Sequence, residues 1–305
     1  MEDIITGDLP DVPALTPEAA AAYCKDVIGA EAAKDAANEK AYGILVSYKD
    51  FKGQTDLNLQ NTPFYDGPID DMLTFVYMDN SLTLDAASGA ATLMYSGVVF
   101  RRTAEQDTLY KRPFVSILGI NAHPEVAEYL IQGGAVKRTF MHEMLHSVGI
   151  GTSWPSPAGC GNKELCMATV LKEAGTKVHE PIPYTPAGAP ALCKADAIYR
   201  EKCAASEWCT ARNGDMPLLV ESEIPATKEA PNFGSNCGHW PESQLPAEII
   251  STMAEGKKLL AGPRLFLTAV TIGALEDLGF QVNYDSKEID DFDLINSRLR
   301  ELDQV

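Results

Sequence analysis

The chain has 305 residues, 45% of them hydrophobic, and its 43 acidic and 25 basic residues leave a formal net charge of −18. That length can bury one large domain or two lobes around a cleft; the acidic surplus favours solubility and argues against nucleic acid or an anionic membrane as partners. No apolar run approaches the roughly 20 residues of a membrane-spanning helix, the longest being Leu265 to Leu275, and the polar end from Arg298 to Val305 is no glycolipid-anchor signal.

The opening Met1 to Asp8 has neither the charged start nor the apolar core of a secretion signal. Thr16-Pro17-Glu18 opens an alanine-rich helix to about Ala41, with proline at its favoured first position. Gly43 to Tyr48, Met72 to Met78, Ala91 to Phe100 and Phe114 to Ile120 carry the β-branched and aromatic content of strands. A helix is expected from His123 to Gln132, a break at Gly133-Gly134, and a second helix from Ala135 to about Val148, whose Val136, Phe140, Met144, Leu145 and Val148 recur at helical spacing. Gly151 to Gly238 is rich in Gly, Pro and Cys and reads as mostly irregular. Gln244 to Ser251 reads as a short helix, and Arg264 to Leu278 as a longer apolar one ended by Gly279. Ser286 to Leu302 reads as a charged amphipathic helix that turns Ile289, Phe292 and Ile295 inward. Helices and a mixed sheet followed by irregular, cross-linked chain predict an α+β fold in two lobes.

The helix from Ala135 carries His142-Glu143-Met144-Leu145-His146, an HExxH pattern followed by Gly149. Histidines four apart lie one above the other on a helix, where two imidazoles can share a metal, and the glutamate between them stands beside it. A carboxylate there can take a proton from a water whose acidity the metal has raised. Gly149 lets the chain leave the helix through a backbone conformation with positive φ and turn back toward the metal.

Catalytic zinc usually takes three protein ligands, so one more is needed. His123 reads as the start of the preceding helix, in a surface or capping role, and His179 lies in a loop-like stretch with no site around it. His239, in Cys237-Gly238-His239-Trp240, is the remaining histidine. Glu164 is the best carboxylate for a thermolysin-like ligand set, although it falls in what reads as a cysteine-rich loop. Of seven cysteines, Cys160, Cys166, Cys193, Cys203, Cys209 and Cys237 lie between His146 and His239, which predicts three disulfides of undetermined pairing and an oxidising compartment. Absence of a CxxC spacing disfavours a structural zinc there. Cys24 stands alone on the alanine-rich helix and reads as a free thiol.

In order along the chain, HEMLHSVGIG (142–151), CGHW (237–240), ISTMAEG (250–256) and LTAVTIGALEDLGFQVNY (267–284) resemble the leishmanolysin family of metzincin metallopeptidases. The resemblance spans roughly Met72 to Tyr284, with one departure: the family's His-Trp-Glu is here His239-Trp240-Pro241-Glu242. It implies a metzincin-like catalytic domain over 1–285 with a cysteine-rich insertion at 151–238, and a separate C-terminal helix at 286–305. It further implies one catalytic zinc held by His142, His146 and His239, with Glu143 as general base and Met253 forming a methionine turn beneath the metal. A thioether suits that place, being soft enough to pack against imidazole rings without ligating; an ordinary core methionine is the other reading. By the same resemblance Cys24 is a candidate for a thiol that masks the metal in a latent form. An edge strand, Ala91 to Phe100 or Phe114 to Ile120, is expected to hold an extended peptide by main-chain pairing. Glu2 to Thr6 is similar to a stretch early in the family's catalytic domain, so the chain is expected to be a fragment or to have a misassigned start.

The function expected is therefore a zinc-dependent endopeptidase acting on protein or peptide substrates, in an extracellular or secretory setting. Two other readings stand beside it: a binding or adhesion module that keeps the fold without catalysis, and a thermolysin-like protease that uses Glu164. Oligomeric state is not legible from the sequence.

Overall fold

The computed structural model describes residues 3–12, 69–79, 82, 84, 91–102, 105–107, 112–132, 135–154, 156, 159–175, 180–187, 193–222, 236–251 and 265–294. The expected Ala-rich helix, the strand from Gly43, the glycine break at 133–134, and Cys24, His179 and Met253 lie outside them.

Three strands form a mixed sheet ahead of the histidine helix: β1 (Leu73–Asp79), β2 (Met94–Arg101) and β3 (Pro113–Asn121), in the order β1-β3-β2. β1 runs parallel to β3, and β2 antiparallel to it. β3 is central because it is apolar on both faces: Phe114, Val115, Ile117 and Leu118 are all buried. This corrects one expectation, since Phe114 to Ile120 is paired on both sides and cannot be an edge; β2 is paired on one side among the described residues.

Helix α1 (Pro124–Gln132) and helix α2 (Val136–Ser147) cover one face of the sheet. Val126 and Leu130 of α1 join Leu93, Met94 and Leu118 in a small core, and Phe140 and Met144 of α2 pack against it. Met141 and Leu145 of α2, with Val148 just past its end, enter a second and larger core shared with the downstream half of the chain. The helix thus has two apolar stripes, and His142 and His146 lie one turn apart beside the second of them.

The region 151–238, expected to be mostly irregular, carries regular elements among its described residues. It contains α3 (Lys163–Glu173), α4 (Lys194–Ala205), α5 (Glu207–Asn213) and a short pairing of β4 (Ile182–Pro183) with β5 (Leu219–Val220). Its cysteine content suggests loop, yet Cys166, Thr169, Val170 and Glu173 form the buried side of α3, and Ala195, Tyr199 and Cys203 that of α4. Both segments are free of internal Gly and Pro, and their helical period is set by the buried cysteines themselves. The disulfides are Cys160–Cys193, Cys166–Cys237 and Cys203–Cys209. They match the expected number and suit an oxidising compartment.

Residues 244–251 form turns in place of the expected helix: Pro246 has no N–H to donate, and Ala247 adopts φ of 60°. The apolar helix α6 (Ala269–Asp277) begins later than expected, at an N-cap where the Thr268 side chain accepts from Val270 N; Phe266 instead pairs its backbone with Ala247 and Ile249. α6 packs on α4, and its Asp277 carboxylate accepts from the Lys194 and Ala195 amides at 2.7 and 3.1 Å, capping the neighbouring helix. Beyond it, residues 286–291 are irregular chain with one turn, where a continuous helix was expected, and among the described residues helix starts only at Phe292. Phe292 is buried and Ile289 packs beside it as expected, while Ile295 lies outside the described residues. Glu288 and Asp290 pair with Lys137 and Arg138 of α2, tying this stretch to the histidine helix. No helix among the described residues is long and apolar enough to cross a membrane.

Candidate metal centre

The imidazoles of His142 and His146 extend from one side of α2, and His239 approaches from 93 residues beyond His146. Their Nε2 atoms form a triangle with sides of 3.1 Å (142–146), 3.0 Å (146–239) and 3.2 Å (142–239). Nitrogens that share one ion at about 2.0–2.1 Å stand close to this far apart.

The opposite ring nitrogens decide what that triangle means. His142 Nδ1 donates to the Ile249 carbonyl, and His146 Nδ1 donates to the Ile150 carbonyl at 2.8 Å. A carbonyl only accepts, so Nδ1 carries a proton in both rings, and in a neutral imidazole Nε2 is then a bare lone pair. Two such lone pairs aimed at one point cannot hydrogen-bond each other, and they repel unless a cation lies between them. Protonation is a poor remedy for His146, which burial and the neighbouring His142 and His239 rings push well below its usual range. The donor set is compatible with a metal centre: His142, His146 and His239 together could hold an ion.

His239 is positioned by tertiary contacts. Cys237 is bonded to Cys166 of α3, the Glu221 amide donates to the His239 carbonyl at 2.9 Å, and the Cys237 amide donates to the Glu221 carbonyl at 2.7 Å. Trp240 is fully buried, packs against Trp154 and Tyr184 with ring centroids 5.2 Å away, and donates from Nε1 to Thr271 Oγ1 at 2.9 Å. The exit from α2 makes room for this strand. Gly149 and Gly151 have φ of 123° and 69°, and a Cβ on Gly151 would lie 2.2 Å from the Gly238 carbonyl oxygen. The same turn is braced by Lys163, donating to the Gly151 carbonyl at 2.6 Å, and by Arg101, donating to the Thr152 carbonyl at 2.9 Å.

Glu143 lies on α2 between the two histidines and is 6% exposed. Burial pushes its carboxyl up from the usual range, while His142 and hydrogen bonding from Ser96 of β2 pull it down. The Ser96 hydroxyl also donates to the Glu143 carbonyl at 2.7 Å, fastening the edge strand to the histidine helix.

The other sequence candidates separate cleanly. Glu164 is on helix α3 and not on a loop, but it is exposed and does not join the histidine cluster. His123 caps α1, its carbonyl accepting from the Val126 and Ala127 amides at 3.0 Å. Several positioning groups escape sequence reading. The carbonyls of Ile150 and Ile249 carry no side-chain signature, and Glu242 and Glu248 are pushed up to about 7 by burial, against the hydrogen bonds they accept. Neither a protein-family model nor a curated protein matches this chain, so the assignment of the centre rests on its geometry.

Proposed function

We propose that the protein is a zinc-dependent endopeptidase similar to the leishmanolysin-type metzincins, hydrolysing peptide bonds in protein substrates. The observation that carries this reading is the triangle of three Nε2 atoms with a buried glutamate on the same helix. His142, His146 and His239 hold the ion. When bound, zinc supplies Lewis acidity that polarises a carbonyl and acidifies water. Glu143 accepts the proton and delivers it to the leaving amine. β2, paired with β3 and anchored through Ser96, is the edge strand of the sheet order on the histidine-helix side, and in this reading it takes an extended peptide in the mode of strand addition. In this reading residues 1–285 are the catalytic domain, with 151–238 as its cross-linked insertion, and the disulfides suit a secretory or extracellular setting.

The test is zinc content together with cleavage of unfolded casein. Wild type should bind one zinc and cleave; Glu143→Gln should keep the zinc and lose roughly 10²–10⁴-fold in rate. His239→Ala should lose the metal and Glu164→Ala should keep it; the reverse pattern would show a thermolysin-like ligand set. Zinc uptake by wild type without cleavage would identify a binding module instead.

A further inference from the structure

Glu248 is fully buried, and its carboxylate is met by neutral donors. Oε2 accepts from the Ile250 amide at 2.7 Å. Oε1 accepts from Thr271 Oγ1 at 2.6 Å, from the Thr268 amide at 3.2 Å and from Thr268 Oγ1 at 3.3 Å. A buried carboxyl is costly unless its lone pairs are matched, and here four donors match them.

Both arms of this network end at a histidine of the metal centre. Thr271 Oγ1 receives Trp240 Nε1, so its own proton is committed to Glu248, and Trp240 is the residue after His239. On the other arm Glu248 holds the Ile250 amide, and the carbonyl of the intervening Ile249 accepts from His142 Nδ1. The two arms also meet, because the Trp240 amide donates to the Ile250 carbonyl at 3.0 Å. Apolar packing would hold this turn in place but would leave its rotation soft; directional bonds from one carboxylate set the angle of the Ile249 carbonyl, and so the ring plane of His142. We propose that Glu248 is a positioning residue that orients His142 and His239 together and thereby sets the affinity of the centre for its ion. It touches neither the ion nor substrate. The inference rests on the metal-centre reading above.

The test uses the full chain at pH 8, comparing wild type with Glu248→Gln, Thr271→Val and Thr271→Ser. Zinc affinity is measured by competition with a chromophoric chelator, the ligand geometry by the visible absorption of the cobalt(II) form, and metal-free stability by urea. Glu248→Gln turns one acceptor into a donor facing donors, and Thr271→Val cuts only the Trp240 arm. Both should weaken zinc binding roughly 10–100-fold and alter the cobalt spectrum, as loss of outer-sphere partners does, while Thr271→Ser stays near wild type. If Glu248→Gln does not fold, the Thr271 pair decides. Zinc affinity and cobalt spectrum unchanged in folded Thr271→Val, even with a lowered urea midpoint, would reduce the network to scaffold and overturn the proposal. Equal weakening by Val and Ser would show that keeping the hydroxyl gives no protection and would overturn it as well. No zinc uptake by wild type would instead remove the metal reading itself, and this inference with it.

Discussion

The histidine helix and the cross-linked segment that follows it supply the same three imidazoles by opposite means. In α2, His142 and His146 meet because residues four apart on a helix share a face, and two apolar stripes seat that helix between two cores. His239 has no such local support. It is placed by a disulfide two residues before it, a buried tryptophan after it, backbone pairing to Glu221, and a glycine gap at Gly151. A site assembled in this way is robust on one side and conditional on the other.

The sharpest way to break the asymmetry is at Cys166–Cys237, which closes a 71-residue separation. Replacing both cysteines by serine should cost about 4 kcal/mol through the freed unfolded chain. Zinc affinity should fall with it while the helix signal in circular dichroism stays largely unchanged. Equal loss of helix content would show that α2 depends on the cross-link as much as His239 does. Gly151→Ala comes next. The added carbon meets the Gly238 carbonyl oxygen at 2.2 Å in a backbone of positive φ, so about 2–3 kcal/mol of stability should be lost, with His239 displaced. A urea titration and a chelator competition read the two effects separately, and Gly175→Ala, where nothing lies within 4 Å, controls for φ alone.

Acid–base linkage sharpens the comparison further. Glu242, three residues past His239, is raised from 4.5 to about 7 by burial, against hydrogen bonds from Ser251 and Ala247. Between those values the fold holds a proton that the unfolded chain has released, so the stability of the metal-free protein should fall as pH rises through the window. Glu242→Gln should remove about 2 kcal/mol of that fall, read from urea midpoints at pH 4.5 and pH 7.5; an unaltered slope would show that Glu242 titrates normally. The smallest effect is expected on the helix side. Lys137–Glu288 is a 2.8 Å ion pair with the lysine 67% exposed, so Lys137→Ala should change stability by less than about 1 kcal/mol and leave zinc affinity alone.

Much of the upstream half is legible in the sequence because its signals are local. The strands Leu73–Asp79, Met94–Arg101 and Pro113–Asn121 and the helices Pro124–Gln132 and Val136–Ser147 follow β-branched and aromatic content or helical period in the chain itself. Strand order is not legible, since the partners of Phe114 to Ile120 lie at distant positions in sequence. Downstream, cysteine is a poor loop marker, because Cys166 and Cys203 sit at helical spacing with other buried residues. The stretch 244–251 has apolar residues at helix-like intervals, yet Pro246 and the positive φ of Ala247 make it a turn, and that turn supplies the Ile249 carbonyl. Backbone acceptors of this kind are invisible to any reading by residue type.

Sequence by itself determined the face that bears His142 and His146, with Glu143 beside it, because the helical repeat places those side chains before any distant contact forms. It also named His239 and the number of disulfides. Only the tertiary structure decided that the three Nε2 atoms converge within 3.0–3.2 Å and which carbonyls orient two of the rings. Only there does the Glu248 carboxylate bridge the turn under His142 and the tryptophan beside His239. The physical reason is separation along the chain: contacts between residues tens of positions apart depend on how whole elements pack.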